Sequence, residues 1–112
     1  MVSNEKDTGN SILVVAAVEA EADAIRRGLR GREGFDVLIG GVGQALTAAR
    51  TAAALHSNGY RMVVSAGIAG GFPGRAAIGS IVAASEIVAA DLGAETADGF
   101  LSVDELGFGS SR

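Results

Sequence analysis

Up to Ala66 the apolar positions alternate between two spacings. Ile12-Leu13-Val14-Val15 is an unbroken apolar run, the pattern of a strand buried on both faces. From Glu19 to Leu29 the period lengthens: Ala22, Ile25 and Leu29 recur at helical spacing. Glu19, Glu21 and Asp23 crowd the first turn of that segment, where the helix dipole favours acids, and Gly31 is the expected stop. Phe35 to Ile39 predicts a second strand, Gln44 to Ser57 an alanine-rich helix closed by Asn58-Gly59, and Met62 to Ala66 a third strand. Ser80 to Val88 predicts a fourth strand, since its β-branched residues outweigh its alanines, with a helix as the alternative. After Ala89 the chain reads as loop. Strand, helix, strand, helix, strand joined by right-handed crossovers predicts an α/β fold: three layers, with a mostly parallel mixed sheet flanked by helices.

Composition narrows this picture. At 112 residues the chain is one domain at most, and its 21 alanines and 17 glycines leave an interior of small aliphatic side chains in close layers. Residues 12–112 are expected to form that domain, and residues 1–11 to be a disordered polar leader. Glu5 and Asp7 stand where a signal peptide needs positive charge. The apolar stretch from Ile78 to Ala90 is broken by Ser80, Ser85 and Glu86 and is too short to span a bilayer, so a cytoplasmic location is expected. Net charge is −4, and the basic residues are scattered apart from Arg26, Arg27, Arg30 and Arg32 at the end of the first helix. Such a chain offers no basic face to a nucleic acid. Without cysteine it has no disulfide or thiolate metal site, and with one histidine no His-rich metal centre.

In an open parallel sheet, ligands sit at the C-terminal ends of the strands, where the connecting loops converge. Here those loops are Ala16 to Glu21, Gly40 to Gln44 and Ala66 to Gly71. The third is the strongest signal: it follows Met62-Val63-Val64-Ser65 and, run on to Gly74, holds four glycines in eight residues, so a ligand could touch bare backbone. Gly41-Val42-Gly43 falls short of a dinucleotide fingerprint, because Leu46 occupies the place of the third glycine. It reads equally as a tight strand-to-helix turn or as a pocket wall. Glu21 reads either as a solvated acid of the first helical turn or as a functional carboxylate. Asp91, Glu95 and Asp104 read as solvated loop acids, and His56 as a surface residue near a helix C-terminus.

Val18-Glu19-Ala20-Glu21-Ala22, Gly40-Gly41-Val42-Gly43-Gln44 and Ser65 to Gly71, each after a strand, together resemble the nucleoside phosphorylase and nucleosidase superfamily. Within it, Gly67-Ile68-Ala69-Gly70-Gly71-Phe72 and the later segment Asp98-Gly99-Phe100-Leu101-Ser102-Val103-Asp104-Glu105-Leu106-Gly107-Phe108-Gly109 resemble the futalosine hydrolase family. The similarity runs from about Ile12 onward and covers the N-terminal half of that family's usual length, so a truncated chain is expected, with exposed sheet edges and little activity alone. The resemblance implies a nucleoside phosphorylase-like fold and hydrolysis of the N-glycosidic bond of futalosine or a close purine nucleoside analogue. Hypoxanthine would be released, as a step of menaquinone biosynthesis.

It also implies that Glu21 positions and deprotonates the attacking water, and that Ala66, Gly67, Ile68 and Gly43 line the nucleoside. Many relatives carry a hydroxyl residue where Ile68 stands and, if phosphorylases, arginines after the first strand. Their absence here favours water over phosphate as nucleophile. No cofactor or metal is implied. The partners implied are nucleoside and water, with a homo-oligomer in the complete protein. Still open are a methylthioadenosine-type nucleosidase, a purine nucleoside phosphorylase, or a non-catalytic nucleotide-binding α/β module.

Overall fold

The computed structural model describes residues 10–112. The expected leader therefore lies outside the described residues up to residue 9. Two compact units divide the chain after Gly70.

In the first unit the order is β1 (Ile12–Ala16), α1 (Glu19–Leu29), β2 (Phe35–Ile39), α2 (Gln44–Ser57) and β3 (Met62–Ser65). The three strands form one sheet in the order β2-β1-β3, and both pairings are parallel. Val14 sits in register with Val37 on one side and Val64 on the other. The first crossover steps from β1 to one neighbour and the second passes back over β1 to the other, so right-handed connections set α1 and α2 on opposite faces. That is why Leu13, Val14, Val15 and Ala16 are all buried, whichever face each points to. Ala22, 0 % exposed, seats α1, while Ile25 and Leu29 are half-buried on the same stripe. Thr47, Thr51 and Ala54 form the half-buried stripe of α2. β3 is an edge strand whose four residues are exposed.

Glycines and backbone caps set the ends of these elements. α1 closes on Arg30, which takes the left-handed conformation (φ 50°, ψ 39°) and donates its amide to Arg26. Gly31 follows with φ 73°, so the left-handed turn begins one residue before the glycine expected to supply it. At the other helix start, Gly43 holds φ 95° and ψ 151°, a region that a side chain makes costly. Past each strand the ladder runs one bond further: the Gly40 amide donates to Ala16 O at 2.8 Å, and the Ala66 amide to Val15 O at 2.9 Å. Both flanking loops therefore leave the sheet at fixed positions beside the end of β1.

In the second unit, β4 (Gly93–Thr96) and β5 (Gly99–Ser102) form an antiparallel hairpin with Thr96 opposite Gly99. This corrects the expectation of loop after Ala89. The two turn residues are Ala97 and Asp98, and Gly99, which opens β5, takes φ 124°. The fourth strand expected over Ser80 to Val88 does not form, nor does the alternative helix. β-branched residues favour a strand only where a neighbouring strand and a half-buried face receive them. Here Ile81 is 99 % exposed and Val82, Ile87 and Val88 are exposed as well. Among the described residues no helix is long and apolar enough to cross a membrane.

Leu13 is the largest fully buried side chain, at 2 % exposure. Leu13→Ala is expected to lower the unfolding free energy by about 2–5 kcal/mol, measured by urea denaturation. A loss within about 0.5 kcal/mol, the range of surface changes, would refute the assignment of β1 as the core strand.

Candidate active site

Glu21 is the third residue of α1, close enough to the end of β1 for its side chain to turn back over the β1–α1 loop. Its Oε2 accepts the Ala17 amide at 2.9 Å and, more weakly, the Val18 amide at 3.4 Å. The second contact is half of a capping box: a helix-start carboxylate satisfies an orphan amide, while Val18 has no polar atom to reciprocate. Its Oε1 reaches across the sheet end and accepts the Ile68 amide at 2.8 Å, 47 residues away in sequence. One half-buried carboxylate thus ties the loop after β1 to the loop after β3.

Three donors on one carboxylate favour its ionised form. The Glu21 pKa lies below its ordinary value of 4.5, first because of the Ile68 amide and then the Ala17 amide, with partial burial opposing and the Val18 amide adding to the lowering. Its helix neighbours Glu19 and Asp23 point elsewhere, at 2.8 Å and 3.0 Å from Arg26 Nη1. Those two are exposed surface pairs of the kind worth little to stability. Of the two glutamates in the first helical turn, Glu21 is therefore the one directed to the strand ends.

The other expected site residues divide. Ala66, half-buried, continues the sheet through its amide; Gly67 and Ile68 lie against the Glu21 carboxylate. The Ile68 side chain is 89 % exposed, so only its backbone engages Glu21. Gly43 starts α2, and its carbonyl accepts the Thr47 amide at 3.2 Å. It stands at the same edge of the sheet, yet among the described residues the hydrogen bonds of Glu21 go to Ala17, Val18 and Ile68. The loop after β2 is braced separately: the Thr47 hydroxyl donates to Gly41 O at 2.8 Å, and Arg50 Nη1 to Ile39 O at 3.3 Å. Sequence reasoning missed the Ala17 and Val18 amides, because a backbone donor leaves no trace in residue identity.

A concavity of about 330 Å³ lined by Arg26, Leu29, Arg32, Phe35 and Asp36 lies at the other edge, where β2 begins. Parallel α/β sheets bind ligands outside the carboxyl ends of their strands, so the Glu21 edge is the candidate site.

A parallel sheet in the order β2-β1-β3, flanked by helices and carrying a pinned carboxylate at its strand ends, is an α/β arrangement consistent with a nucleoside phosphorylase-like fold. Comparison with known proteins makes the likeness more particular. The chain is similar to the futalosine hydrolase of Streptomyces coelicolor, 48 % identical over 119 aligned positions that cover 88 % of this chain and 51 % of that protein. It is also similar to the futalosine hydrolase of Acidothermus cellulolyticus, 43 % identical over 112 positions, covering 88 % of this chain and 46 % of that protein. The chain thus spans about half the length of the curated relatives it matches, and the expected resemblance to the N-terminal half of that family stands. No family model and no solved structure matches it.

Because the Glu21 pKa is lowered in the folded state, its ionised form stabilises the fold above the unfolded value, near 4.5, and that contribution disappears as the pH falls through the folded-state pKa. Glu21→Gln leaves one acceptor oxygen for donors on both sides. The gap in melting temperature between wild type and Glu21→Gln should be constant near neutral pH and close progressively below about pH 4.5. A gap that stays constant down to pH 2.5, or so, would contradict the bridging geometry.

Proposed function

We propose that this protein acts in hydrolysis of the N-glycosidic bond of futalosine, or of a close purine nucleoside analogue, releasing hypoxanthine in menaquinone biosynthesis. The observation that carries the reading is the Glu21 carboxylate, held between the ends of β1 and β3 in a chain similar to two futalosine hydrolases. N-glycosidic cleavage passes through an oxocarbenium-like state. A fixed carboxylate beside the sugar both stabilises that positive charge and takes a proton from the attacking water.

In the proposed reaction the bond from the anomeric carbon to the purine nitrogen breaks, with its electron pair leaving on the base. Water adds to the anomeric carbon and gives its proton to Glu21. Ala66, Gly67, Ile68 and Gly43 line the nucleoside. The acid that protonates the departing purine belongs, in this reading, to the length of the relatives that this chain does not span. With Ile68 in the place of a hydroxyl residue, a phosphate beside Glu21 would meet like charge, so water is the nucleophile. The cytoplasmic location and a homo-oligomeric complete protein are parts of the same proposal and rest on the resemblance.

The test is a chimera in which this chain replaces the matching half of the Streptomyces coelicolor relative, assayed for hypoxanthine released from futalosine. Turnover should be indifferent to added phosphate and yield the free sugar; sugar 1-phosphate as the main product would overturn the hydrolytic reading. In the chimera, Glu21→Gln should keep substrate binding and lose at least about a hundredfold in kcat, against little loss for Glu19→Gln. Equal turnover in the Glu21 variant would remove that residue from the chemistry.

A further inference from the structure

Gly67 was expected to be small to make room for a nucleoside. The structure places something nearer. A Cβ built on Gly67 would stand 2.7 Å from Glu21 Oε1 and 3.0 Å from its Cδ, inside any normal contact distance. Its backbone does not demand glycine, because Gly67 is not among the residues with positive φ. Space is therefore the constraint at this position, and the atoms that claim the space belong to the carboxylate.

A carboxylate offers about four lone-pair positions. Among the described residues, Oε2 takes two donors, Ala17 and Val18, and Oε1 takes one, Ile68. The remaining position is on Oε1, the oxygen closest to where a Gly67 side chain would be. A methyl group there has two effects at once. It pushes the carboxylate off the Ile68 amide, and it stands beside the oxygen face that a water would use. Because the displaced atoms are the far end of a flexible side chain, the fold can absorb the change while the carboxylate loses its bridge.

We infer that Gly67 is a positioning residue for Glu21: its missing Cβ is what lets the carboxylate span from the Ala17 amide to the Ile68 amide with one lone pair of Oε1 left open to water. The inference deepens the hydrolase reading for its functional meaning and rests on that reading there, whereas the geometric claim can be read without any turnover. The groups that face Glu21 are the backbone amides of its own loop and of the loop after β3. Glu19 and Asp23, on the same helix, are taken up by Arg26, and no ion pair of Glu21 occurs among the described residues.

The experiment is a pH titration of the 112-residue chain followed by NMR, observing the Glu21 side-chain carboxyl carbon and the Ile68 amide. In wild type the two should titrate together, with a midpoint below 4.5. In Gly67→Ala the carboxyl midpoint should rise toward that ordinary value and the Ile68 amide should stop following it. Gly28→Ala is the control: it lies on the same helix, has nothing within 4 Å of the added methyl, and should leave both signals unchanged. An unchanged Glu21 midpoint in Gly67→Ala overturns the inference. So does a wild-type Ile68 amide that ignores the Glu21 titration, and this result needs no folded variant. In the chimera, Gly67→Ala should lower kcat and shift the acid limb of the pH profile upward. If Glu21→Gln leaves turnover intact while the NMR result holds, the hydrolase role of Glu21 fails and the positioning by Gly67 stands.

Discussion

β1 is hydrogen-bonded along both edges and buried on both faces, and the rest of the first unit is arranged around that constraint. A strand with two parallel neighbours has no exposed ladder groups of its own, so its apolar residues can be consecutive instead of alternating. Parallel pairing then requires crossover connections, which the two helices supply. The same pairing brings the C-terminal ends of all three strands to one edge, where Gly40 and Ala66 each extend the ladder by one bond. The position of the candidate site is in this sense a by-product of packing β1.

At that edge the structure uses backbone amides as its polar surface. The loop after β1 provides two donors and the loop after β3 a third, and a single acidic side chain collects them. Ionised oxygens accepting amide hydrogen bonds make shorter and stronger contacts than neutral pairs. A carboxylate held in this way stays charged near neutral pH and keeps one direction open. Its depressed basicity is compatible with a role in which it first stabilises positive charge on a sugar and takes the proton as the water adds.

The second unit follows other physics. Its hairpin is short, and single hairpins are marginal without a packed face. The nearby loops are tied by local side-chain bonds: Glu105 Oε2 accepts the Ser102 amide at 2.8 Å, and Asp104 Oδ2 accepts the Ser111 amide at 3.0 Å. Both acids are held below their ordinary pKa values, Glu105 first by the Ser102 amide and Asp104 first by the Ser111 side chain. The Glu105 bond joins near neighbours and braces a turn, whereas Asp104, expected to be a solvated loop acid and exposed here, ties back Ser111 from further along the chain.

Hydrophobic spacing alone determined β1, α1, β2, α2 and β3 to within a residue or so at each end, because burial on a sheet or one helical stripe imposes its period directly on the side chains. It also marked the three strand-end loops, since strand polarity dictates where parallel connections open, whereas Glu21 was singled out by the family resemblance and not by spacing. Spacing failed over Ser80 to Val88, where β-branched residues gave a strand pattern and no strand among the described residues pairs with it. It passed over the hairpin that turns at Ala97-Asp98, whose strands are too short to leave a period. Only the tertiary structure decided which glutamate turns inward, which amides it meets and why Gly67 has no side chain. Those facts rest on backbone groups brought together across 47 residues of sequence, and a backbone amide looks the same in every residue but proline.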